Sequence, residues 1–207
     1  MYVGHLAVAI ASTRVTARVP LALLLLVSQL PDWVELAIAR RGAIDDAVTY
    51  SHSLPAVAAG MVVCALLYGA ATRDIRGAAL LAAVCATHPI LDLVTGAKAW
   101  WPGGPLLGIN LYDRPLLDWS LEAALAVAGW WIYTTGEPRL RWHRNRWLIL
   151  GTLLFCQGTL DLAQAVRILR RSGAGAAWMF SADAHLLVPI LTVNALPVRV
   201  ARGGTGS

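Results

Sequence analysis

Residues 77–96, GAALLAAVCATHPILDLVTG, decide how the chain is read. As a helix rising 1.5 Å per residue, a run of this length covers about 30 Å, the hydrocarbon thickness of a bilayer. Near its end stand His88 and Asp92, four residues apart. On a helix they share one face, so both can reach a common ion. An imidazole and a carboxylate inside such a segment are costly unless paired, which makes them functional suspects. The plain alternative is a buried His–Asp hydrogen bond that staples two helices.

The rest of the composition agrees with a membrane reading. Of 207 residues, 57% are hydrophobic and 14% charged, against about a quarter charged in soluble domains. Mean hydropathy is +0.60. The formal charge of +5 comes from basic residues in short loops between apolar runs, the usual pattern of membrane topology. No basic stripe interleaved with aromatics points to nucleic acid. Cys64, Cys85 and Cys156 each sit within apolar runs and read as small core residues. Arg14 and Arg18 precede an apolar run, but Pro31-Asp32 stands where a small-residue cleavage pattern would follow. The N terminus is therefore expected to be retained.

Worked outward, the chain divides into about six to seven apolar segments of one all-α transmembrane bundle. They are Tyr2 to Val15, Leu21 to Ile38, Leu54 to Thr72, Gly77 to Gly96, Pro115 to Thr135, Trp147 to Val166 and a weaker Ala176 to Val200. Residues 1–200 form the expected single integral membrane domain, with a disordered tail at 201–207. Pro31 interrupts the second segment and leaves backbone groups in need of partners, which membrane helices tolerate where a site is lined. Trp100-Trp101, in a loop-like stretch from Ala97 to Arg114, resembles a headgroup-level aromatic belt.

If the segments alternate in direction, His5, Asp32, His52, His88 and Asp92 fall at one membrane face. Asp113, Asp118, Asp161, Asp183 and His185 fall towards it too, whereas Asp74, Glu137 and His143 lie opposite. Ten of the 17 Lys and Arg residues lie on the opposite face. Orientation follows Lys and Arg, so the acidic face is expected to be extracytoplasmic.

Three imidazoles and two carboxylates make a ligand set for zinc or a similar divalent ion, manganese included, and suffice for two ions if a carboxylate bridges. No CxxC or HExxH occurs, which removes zinc-finger and zincin readings. Ser51 and Ser53 flank His52, but no Gly-x-Ser-x-Gly elbow supports a nucleophilic serine. Lys98 and Arg114, either side of the Trp-rich loop, are candidate phosphate contacts or simple interfacial anchors. Asp118 and Asp161 are candidate partners for the ligating histidines or helix-to-helix hydrogen bonds. Asp45 and Asp46 read as a solvated loop.

The order Gly4-His5, Ser28-Gln29-Leu30-Pro31-Asp32, Ser51-His52-Ser53 and His88-Pro89-Ile90-Leu91-Asp92 resembles the membrane-bound metal-dependent hydrolases, a family that includes the LexA-regulated inner-membrane hydrolases of bacteria. The resemblance covers residues 1–115. It implies a bacterial inner-membrane protein with a His/Asp metal site and a hydrolytic role. The same order is similar to the first part of the zinc-dependent phospholipase C and P1-nuclease group. That likeness implies one ion held by His5 and Asp92, a second held by His52, His88 and Asp92, and Asp32 orienting or deprotonating the attacking water. The group continues into a His-x-x-x-Glu helix for a third ion, which this chain lacks.

The expected activity is therefore hydrolysis of a phosphoester in a membrane lipid or lipid-linked substrate by metal-activated water. Two other classes use the same residues: a metal-ion or proton-coupled transporter, and a non-catalytic scaffold with a structural metal. Crowding of the polar groups at one face, without an internal repeat, speaks against transport. A Cys-free, acidic ligand set speaks against a closed structural zinc.

Overall fold

The computed structural model describes residues 2–41, 44–136 and 145–170. Eight α-helices occur among them: α1 (Val3–Ser12), α2 (Leu21–Ser28), α3 (Leu30–Ala39), α4 (Ile44–Ser51), α5 (Leu54–Thr72), α6 (Ile75–Thr95), α7 (Pro115–Gly136) and α8 (Asn145–Arg170). Between α6 and α7 lie two-residue strands β1 (Lys98–Ala99) and β2 (Leu106–Leu107), paired antiparallel, and a 3-10 turn at Leu111–Asp113.

Helix α6 is central. It buries nine residues, from Gly77 to Thr95, whereas its antiparallel neighbour α5 fully buries only Val57. Local chemistry sets their ends. Ser53 accepts from the Ala56 N–H at the start of α5, and Asp74 accepts from the Gly77 N–H at 3.1 Å at the start of α6. Each satisfies an amide that has no partner within its helix. Between the two helices Arg73 adopts φ 57°, and its N–H donates back to Gly69 O at 2.8 Å to close α5.

On the other side of α6 sits α1, wrapped by α2, α6 and α7, with Val3, Leu6, Ala9 and Ile10 almost fully buried. Its approach to α7 depends on Gly129, where a Cβ would stand 2.5 Å from the Ala7 carbonyl oxygen. Helix α8 covers α7, and the two are tied by the Trp130 Nε1–H donating to Arg146 O at 2.7 Å.

This packing corrects the expected number of spans. Among the described residues only α5 and α6 are long and apolar enough to cross a membrane; counting α2 and α3 as one broken span makes three. The first expected segment is a ten-residue helix, too short to cross, whose apolarity serves burial inside the bundle. The second bends by 56° between α2 and α3. There Pro31 has no N–H for the Val27 carbonyl, which takes the Gln29 N–H instead. Helices α7 and α8 have the length, but they carry buried Asp118, Glu122, Gln157 and Asp161, which dilute the apolar run. The expected seventh segment, the tail at 201–207, His143, Asp183 and His185 lie outside the described residues.

Candidate metal centre

The five residues quoted from four separate stretches meet at one point. Asp92 is its middle: Oδ1 is 3.2 Å from His5 Nε2, and Oδ2 is 3.3 Å from His52 Nε2 and 3.5 Å from His88 Nε2. Asp32 Oδ1 lies 3.2 Å from His52 Nε2 and 3.8 Å from His88 Nε2. The rings of His5 and His88 stack at 3.8 Å, within 6° of parallel. All three imidazoles and Asp92 are buried, whereas the Asp32 side chain keeps 24% of its surface. The cluster therefore opens to solvent on the Asp32 side, where Glu35 also lies, 3.5 Å from His52 Nδ1.

Each ligand is delivered by a specific local device. The break after α2 leaves the Ser28 carbonyl at a helix end, where it accepts from His88 Nδ1 at 2.8 Å. The same break sends α3 off at an angle, placing Asp32 in its first turn. His52 occupies the corner between α4 and α5, with Nδ1 2.7 Å from Ser51 Oγ. His5 rides on α1, whose amino end is held by a residue the motif reading passed over. Fully buried Glu122 of α7 accepts from the Tyr2 N–H at 2.8 Å and the Gly4 N–H at 2.6 Å. A carboxylate at this position answers both the unpaired amides and the positive end of the helix. Gln29 adds a second tie, its Nε2 donating to Tyr2 O at 3.0 Å. Glu122 falls on α7 with no motif around it; the one signal is an acid in an apolar helix, one turn after Asp118 and 118 and 120 residues from the amides it serves.

The protons of this cluster bear on what it can hold. His88 donates through Nδ1 to the Ser28 carbonyl. Its Nε2 is fully buried, makes no hydrogen bond, and faces the two carboxylates. A nitrogen so placed is satisfied by a proton or by a cation between it and the carboxylate oxygens. Donors about 2.0–2.1 Å from a tetrahedral ion stand roughly 3.3–3.4 Å apart, and the separations here run from 3.2 to 3.8 Å. The donor set thus fits a divalent cation. Two groupings bring their ligand atoms within 4.8 Å of one another: His5, His88 and Asp92, all buried, and Asp32, His52 and His88. The phospholipase-like likeness assigned His88 to the second ion; here it belongs to both groupings, because the Ser28 contact sets its Nε2 between Asp32 and Asp92.

The remaining candidates are placed as follows. Lys98, on β1, points Nζ at Asp92 Oδ2 from 3.9 Å. Arg114 is exposed, and its carbonyl accepts the Leu117 and Asp118 N–H groups at the start of α7. Asp118 of α7 and Asp161 of α8 face each other, and Gln157 Nε2 donates to Asp161 Oδ2 at 3.0 Å; among the described residues they join no histidine of the cluster. Asp45 and Asp46 lie on α4. Tyr112, not anticipated, stands near Asp92 in the loop after β2. Burial, with the Asp92 and Glu122 charges, holds its phenol well above its ordinary pKa, so it remains a neutral hydroxyl. No protein-family model, curated protein or solved structure matches this chain, so its function has to be read from the site itself.

Proposed function

We propose that this chain is a membrane-embedded metal-dependent hydrolase acting on a phosphoester of a lipid or lipid-linked substrate. The observation that carries the reading is the buried, unpartnered Nε2 of His88 facing two carboxylates beside two further imidazoles. The resemblance of residues 1–115 to bacterial inner-membrane metal-dependent hydrolases supports it. A divalent ion, zinc or manganese, held by His5, His88 and Asp92, with Asp32, His52 and His88 suited to a second, would supply Lewis acidity and a water acidic enough to ionise near neutral pH.

The chain's own groups divide the remaining work. Asp32, at the open side, is the residue placed to orient a water and take its proton. Lys98 would bind a phosphoryl oxygen, with Arg114 further out on the same loop. Ser51 and Glu35, both at His52 Nδ1, hold that ring in orientation. Glu122 anchors α1 and with it His5. In this reading the protein sits in the bacterial inner membrane as a multi-pass bundle, with the cluster near headgroup depth on the extracytoplasmic side.

The test is metal content by mass spectrometry on detergent-purified protein, wild type beside His88→Ala, followed by turnover of lipid phosphates. One to two equivalents in the wild type, lost in the variant, is the expected result. Wild-type protein that binds no ion even after reconstitution with zinc or manganese would overturn the reading.

A further inference from the structure

Beside the cluster an open cavity of about 340 Å³ lies between the two most apolar helices. Leu54, Val57, Ala58 and Met61 of α5 and Ala86, Pro89 and Ile90 of α6 line it, with Trp100. Pro89 follows His88, and Ile90 lies two residues before Asp92, so groove and cluster are drawn from the same turns of α6, the groove from the side facing α5. Leu54 is two residues beyond His52, and its N–H donates to the Trp100 carbonyl at 2.9 Å. Trp100 is two residues beyond Lys98, whose Nζ is 3.9 Å from Asp92 Oδ2. A cation, a His/Asp cluster and an apolar groove are thus contiguous, knitted together by one short loop.

The geometry points to a binding site for a single acyl or alkyl chain whose anionic phosphate head reaches Lys98 and the cluster. The lining side chains are apolar and offer water no hydrogen-bond partners, and an apolar cavity does not hold water. Taking a methylene as about the size of a water, roughly 30 Å³, the volume accepts about ten carbons of one chain. The tail site gives the hydrolase reading its substrate class, a lipid phosphate with one chain seated in the groove, and rests on that reading only for the role of the head.

The probe is dodecyl phosphate with a terminal diazirine, photolysed on the full chain in detergent and mapped by mass spectrometry. Label is expected on Val57 to Met61 and Ala86 to Ile90, competed by unlabelled dodecyl phosphate but not by inorganic phosphate or dodecanol at equal concentration. Ala58→Trp, which fills the groove, is expected to reduce labelling about tenfold with metal content unchanged; Val62→Trp, on the exposed face of α5, is expected to change neither. Label spread over Val62, Val63 and Leu66, or label unaffected by Ala58→Trp, would mean ordinary annular lipid and overturn the site. The two readings fail separately. Groove-specific label on a protein that binds no metal sinks the hydrolase and keeps the tail site, whereas metal-loaded protein with diffuse label does the reverse.

Discussion

Two groups of buried polar side chains stand in this molecule, and they solve the problem of burial differently. The Asp118–Asp161–Gln157 group joins only two helices, and Asp118 Oδ1 and Gln157 Oε1 in it have no hydrogen-bond partner. The two carboxyls face each other, an arrangement a shared proton would satisfy, and the Gln157 amide donates to Asp161 one helical turn on. The His/Asp cluster draws on α1, α3, the α4–α5 corner and α6. Its His5–Asp92 and His52–Asp32 pairs are hydrogen-bonded, and His88, donating through Nδ1 to Ser28, turns an Nε2 without a hydrogen-bond partner towards two carboxylates. A buried carboxylate therefore does not mark a metal site. Imidazole and carboxylate donors converging from four elements could hold one.

The largest effect that tests this contrast is a paired substitution. Asp92→Ala removes carboxylate oxygens that lie 3.2 to 3.5 Å from all three imidazoles. Loss of outer partners of a metal ligand already costs 10–100-fold in affinity, so loss of this shared ligand is expected to exceed about a hundredfold. Asp118→Ala, in the other group, is expected to leave metal affinity within about threefold. Zinc titration with a competing chelator reads both. Equal losses would dissolve the distinction.

Next in size is Glu122, which belongs to neither group and serves the cluster from outside it. Glu122→Ala strands the Tyr2 and Gly4 amides in a buried setting, at a cost of about 1–3 kcal/mol per unsatisfied group. A lowered melting temperature in detergent is expected, with metal affinity weakened because His5 loses its anchor. Glu122→Gln keeps one acceptor and should recover part of both. A melting temperature unchanged in Glu122→Ala would show that α1 is held by its apolar packing alone.

Lys98 sharpens the contrast at the level of substrate. Its ammonium touches the edge of the cluster without being a ligand, so Lys98→Met is expected to leave metal content intact. The KM for a lipid phosphate should rise about tenfold, the worth of one partly solvated charge-assisted contact. Recovery in Lys98→Arg, measured in the same assay, separates charge from packing.

How far the sequence carries depends on what each signal measures. His88 and Asp92 are legible because a four-residue spacing in an apolar helix fixes their shared face whatever surrounds them. Asp32 is legible through Pro31, which breaks a helix by removing a donor, although the 56° bend itself depends on packing. The number of spans is not legible in the same way. Apolar runs report burial, and α1 is buried by protein, so its sequence reads like a lipid-facing helix. Glu122 is hidden for the opposite reason. Its partners are backbone amides 118 and 120 residues away, and backbone amides have no sequence signature. Asp118 and Asp161 read from the sequence equally as partners of histidine or as helix-to-helix hydrogen bonds, because only the packing of α7 on α8 brings them together.

The smallest expected effect is the most discriminating about that last pair. If Asp118 and Asp161 share a proton, one of them is already a neutral group, and Asp161→Asn replaces a carboxylic acid with an amide of nearly the same shape. The amide still accepts from Gln157 through its oxygen, and its NH2 can donate to Asp118. Stability is then expected to change by less than about 1 kcal/mol, with metal content the same as wild type. Were the pair instead two charges bridged by a cation of their own, removing one charge would release that cation, and stability would drop by several times as much. Thermal melting of Asp161→Asn, with and without a chelator, decides between a proton and a metal at this second site. A chelator-sensitive wild-type melt that becomes insensitive in Asp161→Asn would erase the contrast between the two groups, because both would then be built around metal.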